Sequence, residues 1–174
     1  YSVEIDGIVV KLYDDVIVKY ELLRLKDIDE KLFKEITEYN DKLEAYYKSL
    51  KYITKKLRTE KEIYKYLEKD YDKKVIFDTI EKLKKMGYLN KEIYLKCYIS
   101  DQLNMYLVGP NKIKKDLVNL GYNEEEFIQL IDDIDDDVWF EKIDKLVRKK
   151  IISNRNLGNS KLKEKISYDL SNLG

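Results

Sequence analysis

Two β-branched runs open the chain, and farther along apolar positions take helical spacing. The two runs, Ser2-Val3-Glu4-Ile5 and Ile8 to Tyr13, flank Asp6-Gly7. Asp-Gly between such runs predicts a hairpin, because glycine accepts positive φ. Asp14-Asp15 makes a second break. Val16-Ile17-Val18 reads as a third strand on β propensity, with a short helix capped by Asp15 as the alternative. A short helix is expected near Asp29–Tyr39, with Leu32, Phe33 and Ile36 on one face.

From Asn40 onward the spacing is helical throughout. Ala45, Tyr46, Leu50, Ile53 and Leu57 recur mostly at threes and fours. Thr59 followed by Glu62 predicts a capping box, in which hydroxyl and carboxylate satisfy free amides reciprocally. Ile63, Tyr66 and Leu67 carry the next stripe. Val75, Ile76, Thr79, Ile80 and Leu83 form a third after Asp72, closed by Gly87 as a left-handed cap. The pattern then recurs. Asn90 opens a helix with Ile93, Leu95, Ile99, Leu103 and Leu107. Gly109-Pro110 restarts the chain, with proline suited to a first helical turn. Ile113, Leu117 and Leu120 follow, closed by Gly121, and then Phe127, Ile128, Ile131 and Ile134.

These copies align at a period of 50: Ile53 with Leu103, Leu57 with Leu107, Ile63 with Ile113, Leu67 with Leu117. A third copy opens at Val138-Trp139-Phe140, and its second helix is expected at Lys161–Asn172. Ile166, Leu170 and Gly174 match Ile113, Leu117 and Gly121 at a spacing of 53. The expected organisation is mostly α: an N-terminal β-hairpin plus short helix (1–39), three-helix repeats at 40–87 and 88–137, and a two-helix partial repeat at 138–174, in an elongated array. The last repeat, with its polar linker Ser153–Ser160, is expected to be the weakest.

Composition removes most catalytic chemistry. The 174 residues include no His, one Cys, six Gly and one Pro. Without His, neither a Ser-His-Asp triad nor a Cys-His pair can be built. One Cys cannot close an internal disulfide, so a reducing, cytoplasmic setting is expected. Cys97 lies in an apolar helical stretch and reads as a packed, inert thiol. No glycine-rich phosphate loop occurs. The 16 Tyr read as core-edge residues rather than nucleophiles. Asp132, Asp133, Asp135, Asp136 and Asp137 lack the pattern of a calcium loop and read as a solvated helix end. No run reaches the length of a membrane span. A protein that acts by binding, without metal or cofactor, is what remains.

Charge is balanced overall, with 34 basic and 34 acidic side chains. It is unbalanced locally: net −4 over 1–40, +5 over 41–90, −6 over 91–137 and +5 over 138–174. Such alternation suits a protein filament better than bare duplex DNA, although solvated helix faces would look the same.

Four segments resemble the RecX family, the regulators of the RecA recombinase. They are Arg58-Thr59-Glu60-Lys61-Glu62-Ile63, Gly87-Tyr88-Leu89-Asn90, Gly109-Pro110-Asn111-Lys112-Ile113 and Leu120-Gly121-Tyr122, in that order. The resemblance runs from about Ala45 to the C-terminus, and the opening segment is similar to the N-terminal extension of RecX proteins from low-GC Gram-positive bacteria. Asn90-Lys91 stands where the family usually has paired acids, and the chain is neutral where the family is often basic. The resemblance implies a curved helical rod lying in the groove of the RecA–single-stranded DNA filament. It would inhibit ATP hydrolysis, strand exchange and coprotease activity, with DNA as a second partner; a monomer is the default for a capped repeat array. Candidate contacts are Lys55, Lys56 and Arg58 in the first repeat, Lys112, Lys114 and Lys115 in the second, and Arg148, Lys149 and Lys150 in the third. The alternative is a nucleic-acid-binding helical-repeat protein that acts without RecA. Scarce arginine and zero net charge weigh against it.

Overall fold

Strands β1 (Ser2–Ile5) and β2 (Ile8–Lys11) pair antiparallel, Val3 opposite Val10 and Glu4 opposite Val9, with Gly7 at φ +79° in the turn. The computed structural model describes residues 1–173 apart from Asp6 and Lys26. Asp6 of the expected hairpin turn and Gly174 of the third-copy match therefore lie outside the described residues. The remaining elements are helices α1 (Asp14–Lys19), α2 (Glu30–Ile53), α3 (Glu60–Leu67), α4 (Lys73–Lys85), α5 (Lys91–Met105), α6 (Pro110–Asn119), α7 (Ile128–Asp132), α8 (Asp136–Ser153) and α9 (Asn159–Leu173). A 3-10 turn, Glu124–Glu126, precedes α7. The chain forms two compact units, Tyr1–Asn90 and the part from Lys91 onward. Among the described residues, no helix is long and apolar enough to cross a membrane.

Val16-Ile17-Val18 is helical, not the expected third strand. In a strand, residues 16 and 18 would share a face and residue 17 would oppose them. Here Val16 and Ile17 are both buried while Val18 is 75% exposed, an arrangement only a helix satisfies. Asp14 and Asp15 lie in its first turn, where carboxylates complement the helix dipole. The N-cap is Tyr13 rather than Asp15.

The short helix expected at Asp29–Tyr39 and the one expected from Asn40 are a single 24-residue helix, α2. Asp29 caps it, its carboxylate accepting from Leu32 N–H at 2.7 Å. Its N-terminal half supplies Ile36 and Leu43 to a core with Leu12, Val16 and Ile17. Its C-terminal half supplies Ala45 and Tyr46 to a second core with Ile63, Leu67, Ile76, Ile80, Leu83 and Leu89. Asn40 does not break α2, because its side chain is used inside the fold. Its Oδ1 accepts from Tyr13 N–H at 3.1 Å and its Nδ2 donates to the Lys11 carbonyl at 3.2 Å, fixing the hairpin to α2. Asn40→Ala is expected to cost about 1–3 kcal/mol by orphaning both backbone groups. Faster amide hydrogen exchange at Tyr13, with α4 unaffected, is the measurement that checks it.

The second unit repeats the plan of α2–α4. Leu95, Ile99, Ile113, Leu117, Phe127 and Ile131 form its core. Ala45 and Leu95, Ile63 and Ile113, and Leu67 and Leu117 are each buried, at the spacing of 50. The third helix is shorter here. The 3-10 turn and the five residues of α7 replace the 13 residues of α4. Cys97 is exposed, contrary to the packed thiol expected. Leu95 and Ile99 set the inward face of α5, and Cys97 sits about 200° around the helix from Leu95. From Asp136 onward only Leu146 is buried among the described residues.

Candidate functional site

The capping box predicted at Thr59 is present. Thr59 Oγ1 accepts from Glu62 N–H at 3.1 Å, and Glu62 Oε2 accepts from Thr59 N–H at 3.0 Å. Arg58 is built into this cap. Its Nη1 donates to Glu62 Oε1 at 3.0 Å, and its guanidinium lies 3.7 Å above the Tyr52 ring. Tyr52 in turn stacks on Tyr66, with ring centroids 4.2 Å apart and 10° between planes. Arg58 thus joins the last turn of α2 to the first turn of α3. Its side chain is only 11% exposed, so it acts within the fold rather than presenting a free charge. Burial pushes the Glu62 carboxyl up, but the Thr59 amide, Arg58 and Lys56 outweigh it and hold the carboxyl below its ordinary value.

The other candidates divide by partner. Lys56 lies 3.3 Å from Glu62, and Lys55 is exposed with no carboxylate beside it among the described residues. In the second unit Lys112 pairs with Asp116 at 2.5 Å within α6. Lys114 reaches Asp132 at 3.7 Å and ties α6 to α7. Arg148 pairs with Asp144 at 2.6 Å along α8, and Asp144 holds its guanidinium above the ordinary value. Lys150 pairs with Asp169 at 2.7 Å and ties α8 to α9. Lys115 and Lys149 are exposed and carry no ion pair among the described residues. Of the nine candidates, Lys55, Lys115 and Lys149 thus have no carboxylate partner among the described residues.

The acidic cluster behaves as a solvated helix end. All five carboxylates are exposed, and Asp135 Oδ1 accepts from Asp137 N–H at 3.0 Å to cap α8. Among the described residues, no group of three or more Cys, Asp or Glu is placed to hold a metal ion. Sequence reasoning missed Lys142. Its ammonium donates to the carbonyls of Tyr106 at 2.5 Å and Gln102 at 3.3 Å, closing the C-terminal end of α5. Only its place near the one Trp of the third copy could have drawn attention to it.

Residues 45–83 match the family model described as RecX, first three-helix domain. Regulatory protein RecX of Listeria monocytogenes serotype 4a is 28% identical over 162 residues, covering 92% of this chain and 60% of the relative. Regulatory protein RecX of Clostridioides difficile is 24% identical over 169 residues, covering 97% and 80%. The chain thus spans about 60% of the length of the Listeria relatives. A crystal structure of regulatory protein RecX shares the fold over the whole chain and 87% of its own, with a TM-score of 0.82 at 24% identity. RecX from Lactobacillus salivarius gives 0.69 at 25% identity over 78% of this chain and 89% of its own. The chain thus carries the RecX first three-helix domain at 45–83, is similar to RecX proteins over most of its length, and shares the RecX fold.

Proposed function

We propose that this chain regulates the RecA recombinase by binding the RecA–single-stranded DNA filament and inhibiting its ATP hydrolysis, strand exchange and coprotease activity. The RecX three-helix domain at 45–83 carries this reading. The chain acts by binding rather than catalysis, in the cytoplasm, as a monomer without a cofactor. Lys55 in 40–87, Lys115 in 88–137 and Lys149 in the partial 138–174, each without an ion pair among the described residues, face acidic surface on successive protomers. Several weak contacts on one chain gain affinity together, because each later contact is intramolecular. A ligand shifts assembly only by its differential affinity for the states, so the filament must be bound more tightly than free RecA.

The test is RecA ATP hydrolysis on single-stranded DNA with this protein titrated in, using RecA of the source organism. Inhibition well below stoichiometry is expected. The triple variant Lys55→Glu, Lys115→Glu, Lys149→Glu is expected to raise the half-inhibiting concentration about tenfold or more, since charge reversal at a contact costs several kcal/mol. Its circular dichroism should be unchanged, because all three side chains are exposed. Absence of inhibition, with no co-sedimentation on filaments, overturns the reading. Inhibition only at saturation, accompanied by salt-sensitive DNA binding without RecA, points to competition for DNA instead.

A further inference from the structure

Within the second unit, an apolar groove of about 360 Å³ lies between the loop after α5, the start of α6, and helices α8 and α9. Leu107, Val108, Pro110, Trp139, Ile143 and Leu170 form its walls, and Lys142 lines it with them. An ammonium has three N–H donors. The Tyr106 and Gln102 carbonyls engage two of those on Lys142. They belong to the C-terminal end of α5, whose dipole offsets only about half a charge. No carboxylate pairs with Lys142 among the described residues, whereas Lys112, Lys145, Arg148 and Lys150 around it each have one. Burial, with Lys145 nearby, holds the Lys142 ammonium below the ordinary lysine value. A half-buried cation with no carboxylate partner among the described residues, set in an apolar wall, complements a ligand that offers an apolar side chain beside a carboxylate. Ile143 at the groove is 43% exposed, and Tyr106, whose carbonyl holds Lys142, is 55% exposed, so apolar surface continues beyond it. The groove walls come from 91–137, net −6, as well as from 138–174, net +5, so the attraction for a carboxylate is local to Lys142.

We propose that this groove docks an acidic amphipathic peptide segment of a partner protein, which seats a leucine or phenylalanine side chain against Trp139 and Leu170 and sets an adjacent carboxylate on Lys142. This does not depend on the partner being RecA, and its test uses the chain alone.

Trp139 is the only tryptophan, so its emission reports occupancy of the groove. The probe is a glutamate-rich helical peptide of about 12 residues with leucines at i and i+4. Its counterpart carries Gln at every Glu position. A saturable change in Trp139 emission is expected with the acidic peptide, and affinity about tenfold lower for the Gln peptide. Lys142→Met should weaken binding of the acidic peptide by a similar factor. Ile143→Glu sits at an exposed position, keeps the fold, and should weaken it as well; it decides the matter if Lys142→Met alters the circular dichroism. Equal affinity for the Gln peptide, binding unaffected by Ile143→Glu, or no emission change up to about 1 mM acidic peptide each overturns the proposal.

Discussion

Phe127→Ala is expected to cost the second unit about 3–5 kcal/mol, the range for truncating a buried phenylalanine. Phe127 is fully buried and packs with Leu95, Ile99, Ile113, Leu117 and Ile131. Its site cannot easily collapse, because Gly109-Pro110 and the Gly121 cap fix both ends of α6. Beside Phe127, the turn and short helix are held by Ile131, by the half-buried Leu130 and Ile134, and by the pairs Lys91–Glu126 at 2.6 Å and Lys114–Asp132 at 3.7 Å. For a unit of this size, urea slopes are about 1 kcal/mol/M, so the midpoint should fall by about 3 M or the unit should be unfolded without urea. Trp139 lies against the same core and reports this transition alone. Phe140→Ala is the control: Phe140 is 66% exposed, and its loss should change stability by less than about 0.5 kcal/mol. Equal effects from the two variants would mean that the core is not centred on Phe127.

Arg58→Ala carries the second large effect, about 2–4 kcal/mol on the first unit. Removing one partner of a half-buried ion pair weakens the compensation of the other charge. Here that group is Glu62, whose side chain is 22% exposed and holds the cap of α3, and which keeps the more exposed Lys56 and the Thr59 amide. The stack on Tyr52 is lost as well. Arg58→Lys should recover only part of the stability, because an ammonium cannot both stack on the ring and reach the carboxylate in a planar fork. The pH dependence has a definite sign. The Glu62 carboxyl is held below its ordinary value in the folded chain, so its contribution is complete above the unfolded value. That contribution fades as pH falls from about 4 through the folded value. Arg58→Ala removes a cation that favours the carboxylate. The stability gap between parent and variant should therefore be widest near neutral pH and narrow in acid. Denaturant melts of both proteins at pH 7 and pH 3.5 test this; a gap independent of pH would mean that Arg58 acts through the Tyr52 stack alone.

The repeat was legible because its signals are local. Thr59 with Glu62 makes a cap with its own neighbours, and Gly87 and Gly121 adopt φ +77° and +102° where the helix ends require it. Pro110 opens α6 wherever the rest of the chain lies. The period of 50 follows from the core itself, since Ile63 and Ile113, and Leu67 and Leu117, fill equivalent buried positions.

The candidate contacts were less legible. Lysine spacing identifies helix faces, but not which ammonium finds a carboxylate. Lys114 reaches Asp132 and Lys150 reaches Asp169 only because α6 packs on α7 and α8 on α9. Arg58 looked like a surface cation in a basic run, yet packing against Tyr52 buried it.

The sequence by itself thus determined the repeat, its caps, the hairpin and the absence of histidine chemistry. These depend on backbone preference and on neighbours within a few residues. Tertiary structure alone decided that Val16 and Ile17 are helical, that α2 runs unbroken through Asn40, that Cys97 faces outward, and that Lys142, at an apolar groove, has no anion beside it among the described residues. Each of these depends on which surfaces meet across the fold. Burial and charge pairing between distant segments are set there, where local propensity differs by too little to choose.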